Sequence, residues 1–132
     1  MIMPERSQDW VKQAKRDLSL AETVKRDGFY EWSCFISQQS AEKAVKAVFQ
    51  KLGGDAWGHS VVDLFNGLKS RIDVPTDLFD RGRVLDRYYI QSRYPNGFER
   101  GAPYEYFVEE DARNAIDCAS RILQFCESFL AE

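Results

Sequence analysis

The chain contains 132 residues, of which 44% are hydrophobic and 30% are charged, and its net charge is -3 at pH 7. This length and balance are typical of one globular domain, and we expect residues 1–132 to form a single domain. The weak negative charge argues against nucleic-acid binding by overall electrostatics, so any contact with RNA or a nucleotide would need a local basic patch. The three cysteines form no C-x-x-C pair, and we expect neither a metal nor another cofactor.

Neither a targeting signal nor a membrane-spanning segment is predicted. Residues 1–8 lack the apolar stretch of a secretory signal, and no apolar run approaches the roughly 20 residues that a membrane-spanning helix needs. We therefore expect a soluble protein of the reducing cytoplasm that makes no membrane contact. Cys34 and Cys118 lie on apolar helical stripes, which favours a packing role for both.

Apolar residues recur every three or four positions along most of the chain, which predicts helices. The first helix is predicted over 7–25, with Ser7 as its N-cap and Gly28 just beyond its end. The second is predicted over 30–52. Because only a few residues separate these two helices, they should be antiparallel neighbours.

Three further helices follow in the second half of the chain. A short one is predicted to begin at Ser60, since Ser60 and Asp63 have the spacing of a capping box. A fourth is predicted over 76–91, and the last over 108–130, after a long loop of a kind that is often functional. No alternating strand pattern of useful length occurs. The predicted fold class is all-α: an up-and-down four-helix bundle with an additional short helix.

The second helix carries a polar ridge. Gln39 and Lys43 are four residues apart and Lys46 lies three further on, so the three side chains share one face. This ridge can point into a ligand groove or a dimer interface. Alternatively, it is a solvated face with pairing inside the helix.

Basic and aromatic residues concentrate at the end of the fourth helix and in the turn after it. Guanidinium groups suit phosphate recognition and tyrosine rings can stack on bases. The alternative is that Tyr88 and Tyr89 belong to the core and that the arginines pair with nearby acids such as Asp86. The cluster comprises Arg83, Arg87, Tyr88, Tyr89, Arg93 and Tyr94.

His59 is the sole histidine of the chain and precedes the predicted third helix. There it can orient a loop or help to hold an anion at the helix N-terminus. No second metal ligand lies within sequence reach, so a metal site is not predicted. The chain also lacks the P-loop, nucleophile-elbow and zinc-protease motifs of common enzymes.

The order of these motifs resembles the HEPN family, the higher eukaryotes and prokaryotes nucleotide-binding domain. The similarity is carried by QQSAEKAVKA at 38–47 and YYIQSRYPN at 88–96, together with WVKQAKRDL at 10–18, the turn at 28–30 and the position of His59. This resemblance implies a helical bundle that is usually a homodimer. Such domains are often encoded beside a minimal nucleotidyltransferase, in pairs of which many are toxin–antitoxin modules.

Several members of that family are metal-independent ribonucleases, and their signature is an arginine followed at short spacing by a histidine. If Arg93 is that arginine, the positions expected to hold histidine carry Phe98, Glu99 and Arg100. The usual acid–base group for RNA cleavage is then missing. We therefore predict a binding and interaction module rather than a self-sufficient enzyme. The alternative is a metal-independent ribonuclease toxin that uses Arg93 with His59.

The binding prediction requires the second helix and the turn after the fourth to converge on one groove. The expected partners are a second copy of the chain, a minimal nucleotidyltransferase protein, and a nucleotide or RNA. The predicted ligand-binding residues are Gln39, Lys43, Lys46, Arg87, Tyr89, Arg93 and Tyr94.

Overall fold

The computed structural model describes residues 5–54 and 56–131, and every regular element within these ranges is helical. The all-α prediction is therefore confirmed. None of the helices in the described ranges is long and apolar enough to cross a membrane. The elements are α1 (Ser7–Arg26), α2 (Tyr30–Lys51), α3 (Val61–Leu68), α4 (Thr76–Asp86), α5 (Tyr88–Gln91) and α6 (Glu109–Leu130), with two 3-10 turns, Pro95–Gly97 and Pro103–Tyr106, before α6.

Helix α2 lies at the centre of the fold and contacts α1, α3, α4, α5 and α6. Much of its buried surface consists of small residues, and Ala41, Ala44 and Ala47 are completely buried. Small side chains allow neighbouring helices to approach α2 closely on several sides. Cys34 and Cys118 are buried as expected, which agrees with a packing role.

Two buried serine hydroxyls fasten α2 to α1. The Ser33 hydroxyl donates to the carbonyl oxygen of Ala21 at 2.9 Å, and the Ser40 hydroxyl donates to that of Ala14 at 2.7 Å. Both bonds run from a side chain of one helix to the backbone of the other. They fix the rotation of α2 against α1, and with it the direction in which the polar face of α2 points.

Asp86, at the end of α4, binds the N-terminus of α3. Its carboxylate accepts from the Ser60 hydroxyl at 2.9 Å and from the backbone N–H groups of Val61 and Val62 at 2.8 and 3.1 Å. The helix dipole favours a negative charge at this place. The Ser60 hydroxyl also accepts from the Asp63 N–H at 3.1 Å, so Ser60 is the N-cap of α3 and supplies its half of the predicted capping box. These bonds hold the segment that carries His59.

Two details of the helix boundaries differ from the prediction. The prediction that Ser7 caps α1 is wrong: Arg6 occupies the cap position, and the Ser7 side chain is buried as the first helical residue, where it cannot cap. The helix predicted over 76–91 is interrupted at Arg87, where the bond from the Arg87 N–H to the Arg83 carbonyl oxygen is stretched to 3.4 Å. Gly28, with φ of 87°, lies just beyond α1 as predicted.

Candidate functional site

A nearly buried carboxylate on α2 connects two basic side chains. The Glu42 side chain is 6% exposed, and its two oxygens contact His59 Nδ1 at 3.0 Å and Lys46 Nζ at 3.1 Å. A carboxylate removed from water is costly unless it is paired and hydrogen-bonded. Lys46 of the same helix pairs with one oxygen of Glu42, and His59, from the loop before α3, contacts the other.

The backbone of His59 is bound to the same helix. The Gln38 amide donates to the His59 carbonyl oxygen at 2.6 Å, and the Gln39 amide donates to the Gln38 side-chain oxygen at 2.7 Å. With the Glu42 contact, both the main chain and the ring of His59 are therefore held by α2. The ring itself remains 55% exposed, so its position is defined while its outer edge is open to solvent.

Aromatic stacking joins His59 to Arg93. The His59 ring lies on the ring of Tyr89, with centroids 4.7 Å apart and planes 18° apart. The Arg93 guanidinium carbon lies 4.8 Å from the same Tyr89 centroid, 4.2 Å from that of Phe35 and 5.0 Å from that of Tyr94. Its Nε and Nη2 donate to the Tyr89 carbonyl oxygen at 3.0 and 2.8 Å. We call Phe35, Glu42, His59, Tyr89 and Arg93 the His59–Arg93 cluster.

The cluster combines a fixed cation, an oriented imidazole and aromatic surface. Arg93 offers guanidinium N–H groups of the kind that bind phosphate oxygens. Glu42 holds Nδ1 of His59, which leaves Nε2 as the nitrogen that can exchange a proton with a ligand. Within the described residues, no group of three or more potential metal ligands occurs. The guanidinium of Arg93, the imidazole of His59 and the aromatic rings are groups suited to phosphate binding, proton transfer and base stacking.

The structure brings most of the predicted ligand residues into one network. Tyr89, Arg93 and Tyr94 lie together, and Lys46 and Gln39 join them through Glu42 and Gln38. Lys43 points elsewhere, because its Nζ pairs with Asp17 of α1. It lines a different groove, with Trp10 and Gln13.

Three residues of the predicted basic and aromatic cluster lie outside the His59–Arg93 cluster, namely Arg83, Arg87 and Tyr88. Arg83 pairs with Asp80 at 2.9 Å, and Arg87 is exposed at the junction of α4 and α5. Asp86 is not their partner, because it binds the N-terminus of α3. Tyr88 turns inward against Phe107, with ring centroids 5.6 Å apart, and burial raises the pKa of its phenol to about 12.

Two residues of the cluster were not predicted from the sequence. Phe35 and Glu42 are seven residues apart on α2, which places them on one helical face. Phe35 belongs to the helical repeat of apolar residues in α2, and Glu42 is a carboxylate beside that repeat, a signal that it needs a partner. The partner, His59, lies in a segment without helical periodicity, so sequence spacing alone does not reveal the contact.

The molecule is an all-helical bundle, and its surface carries a cluster of histidine, arginine and aromatic side chains. Residues 7–129 match the HEPN domain. The chain therefore belongs to the HEPN domain family, and the resemblance found in the sequence is confirmed.

Individual relatives agree with this assignment. Putative toxin MJ1304 of Methanocaldococcus jannaschii is 28% identical over an alignment that covers 93% of this chain and 87% of that protein. The crystal structure of TT1696 from Thermus thermophilus superposes with a TM-score of 0.92 at 40% identity, covering 95% of this chain and 98% of that one. ST0689, an archaeal HEPN homologue, gives 0.80 at 44% identity, with the same coverage of both chains.

Proposed function

We propose that this chain is a HEPN-type module that binds a nucleotide or RNA at the His59–Arg93 cluster and acts with a protein partner in a toxin–antitoxin-like pair. The ligand proposal rests on the contacts that surround the Arg93 guanidinium. Its guanidinium is held by aromatic rings and by a backbone carbonyl, and no carboxylate of the described residues lies within ion-pair distance of it. A cation fixed in this way is ready to bind an anion that comes from outside the chain.

The geometry around Arg93 suits a phosphate with an attached base. A guanidinium has five N–H donors, and within the described residues only Nε and Nη2 of Arg93 donate to a protein acceptor. The N–H groups that remain can bind phosphate oxygens in the bidentate manner typical of arginine. Tyr94, which is 49% exposed beside the guanidinium, offers a ring on which a base can stack.

Arg93→Ala tests the ligand proposal directly. Binding of a labelled single-stranded oligoribonucleotide and of ATP would be measured by fluorescence anisotropy and competition. Since charge-assisted hydrogen bonds contribute about 1.5–3 kcal/mol each, we expect affinity to fall by at least about tenfold. Arg83→Ala removes an exposed arginine outside the cluster and should bind as wild type. Unchanged affinity in Arg93→Ala, with native circular dichroism, would reject the site.

The ribonuclease alternative is favoured by one specific observation, namely that His59 and Arg93 contact the same tyrosine. In this reading, Nε2 of His59 accepts the proton of a ribose 2′-hydroxyl, whose oxygen attacks the adjacent phosphorus. The 5′-oxygen leaves and takes a proton from water, while Arg93 binds the phosphate oxygens. Glu42 keeps the imidazole in the tautomer that this step needs.

A cleavage assay in the presence of EDTA separates the two functions. If the chain is a metal-independent ribonuclease, the wild type cuts single-stranded RNA and both His59→Ala and Arg93→Ala lose this activity. If it is a binding module, none of the three proteins cuts RNA although the wild type binds it. Cleavage that persists in both variants would show that the activity does not come from this cluster.

The partner proposal is supported by the relationship to Putative toxin MJ1304 and by the family resemblance. We propose a minimal nucleotidyltransferase protein as the partner and a homodimer as the form of the chain itself. Co-expression with the product of the adjacent open reading frame, followed by affinity purification, tests the first. Light scattering during size exclusion tests the second. A monomer that does not retain the neighbouring product would contradict both.

A further inference from the structure

We propose a second subsite, in the groove between Trp10 and Trp57, that binds one base of a single-stranded RNA whose adjacent phosphate lies at the His59–Arg93 cluster. This inference rests on the proposed function and extends it from a single nucleotide to a strand. It follows from the shape and lining of the groove, from the exposure of Trp57, and from the short path between the two sites.

The groove has the size of one ring system. Its volume is about 150 Å³, which is below the roughly 300–1,000 Å³ of pockets that enclose a whole small molecule. Two indoles and a phenyl ring supply the aromatic surface, while an amide and an ammonium group supply polar atoms. The lining residues include Trp10, Lys46, Phe49, Gln50, Gly54 and Trp57.

Trp57 is the most exposed large hydrophobic side chain among the described residues, at 84% of its surface. Tryptophan is normally well buried in folded proteins, because its ring gains a large free energy from leaving water. An indole left this open beside a second indole makes a platform for a planar ligand. Base stacking on such a platform contributes about 1–3 kcal/mol per base and accepts any base.

The groove and the His59–Arg93 cluster are neighbours. Trp57 and His59 are two residues apart, so their Cα atoms are at most about 7 Å from each other. Gly58 between them has φ of 86°, a left-handed conformation that glycine adopts without strain. Lys46 lines the groove and pairs with Glu42, which contacts His59. A strand can therefore reach both places with consecutive nucleotides.

The polar part of the lining favours a base over an apolar side chain from a partner protein. Gln50 offers both a donor and an acceptor, and Lys46 offers a donor, and base edges carry matching groups. An apolar side chain would offer no hydrogen-bond partner to the Gln50 amide on the groove wall, which costs free energy. A protein occupant is therefore the competing outcome of the test.

The test compares ligands of two lengths on three variants. Affinities for AMP and for a single-stranded adenosine tetranucleotide would be measured for the wild type, Trp57→Ala, Trp57→Phe and Tyr104→Ala. Tyr104 is 66% exposed and lies outside both the groove and the cluster, so it is a matched control. We expect Trp57→Ala to bind the tetranucleotide about 5- to 150-fold more weakly and AMP as wild type. Trp57→Phe should keep most of the tetranucleotide affinity, and Tyr104→Ala all of it.

The measurements distinguish a failure of the Trp57 subsite from a failure of the proposed function. If Arg93→Ala weakens tetranucleotide binding but Trp57→Ala does not, the subsite is wrong and the proposed function stands. If the wild type binds neither ligand, both proposals are wrong. If Trp57→Ala binds RNA normally but loses the co-purifying product of the adjacent open reading frame, the groove is a protein-docking site and the inference is overturned.

Discussion

The imidazole of His59 lies almost parallel to the ring of Tyr89, with centroids 4.7 Å apart, although one residue precedes α3 and the other belongs to α5. Tyr89 also accepts two hydrogen bonds from Arg93 through its carbonyl oxygen. One tyrosine thus positions both residues that the proposed function requires. Its ring sets the place of the imidazole, and its backbone sets the place of the guanidinium.

The first prediction concerns this ring. Tyr89→Phe keeps the stack on His59 and the backbone acceptor for Arg93, so RNA affinity should stay within about twofold of wild type. Tyr89→Leu removes the aromatic contact with both residues, and since aromatic and cation–π contacts contribute about 0.5–2 kcal/mol each, affinity should fall about 3- to 30-fold. Anisotropy titrations of the two variants would measure this. Equal losses in both would mean that the hydroxyl, and not the ring, matters.

The second prediction concerns Glu42 and Lys46, which are only 6% and 13% exposed. Glu42→Ala leaves the nearly buried ammonium of Lys46 without its carboxylate, and removing one partner of a buried pair costs about 3–5 kcal/mol. Urea unfolding should show a loss in this range. The double variant with Glu42→Leu and Lys46→Met should recover most of it, because no buried charge remains.

Glu127 is the matched control for this pair. It forms an ion pair with Lys15 on the surface, where the two side chains are 37% and 54% exposed. Such pairs contribute less than about 1 kcal/mol, so Glu127→Ala should change the free energy of unfolding only slightly. A loss for Glu42→Ala no larger than that for Glu127→Ala would contradict the role assigned to the buried pair.

The third prediction concerns Asp86. Asp86→Ala removes the acceptor for the Ser60 hydroxyl and for two backbone N–H groups of α3. Loss of these capping bonds should lower the free energy of unfolding by about 2–3 kcal/mol. RNA affinity should fall as well, since the segment with His59 loses its anchor. Asp80→Ala, on the exposed side of the same helix, should do neither, and similar effects of the two substitutions would rule out a special role for Asp86.

The fourth prediction concerns the pH dependence of stability. Burial raises the pKa of Tyr88 to about 12, whereas a tyrosine in the unfolded chain titrates near 10. Between about pH 10 and pH 12 the native state therefore holds a proton that the unfolded state has released, and stability falls as pH rises. In Tyr88→Phe this part of the slope should disappear. Urea unfolding at several pH values would show it, with Tyr104→Phe as an exposed control that keeps the slope.

The helices and their order were predictable because each helix shows its buried face as a local repeat of apolar residues. The sequence indicates Arg93 and Tyr94 as site candidates only through the concentration of basic and aromatic residues in the turn after a helix, and their role as ligand residues stays a prediction. The sequence did not predict that Lys43 and Lys46 have different ion-pair partners. Spacing places both on one face of α2, yet Lys43 pairs with Asp17 of α1 and Lys46 pairs with Glu42.

The sequence by itself determined the helical bundle and the family, because helical periodicity and the order of short motifs depend only on neighbours along the chain. The tertiary structure alone decided that His59 meets Glu42 and Tyr89. Those contacts depend on how α2 is rotated against α1 and on where Asp86 holds the start of α3. Such long-range contacts have no local periodicity, since they arise only after the packed core has brought distant segments together.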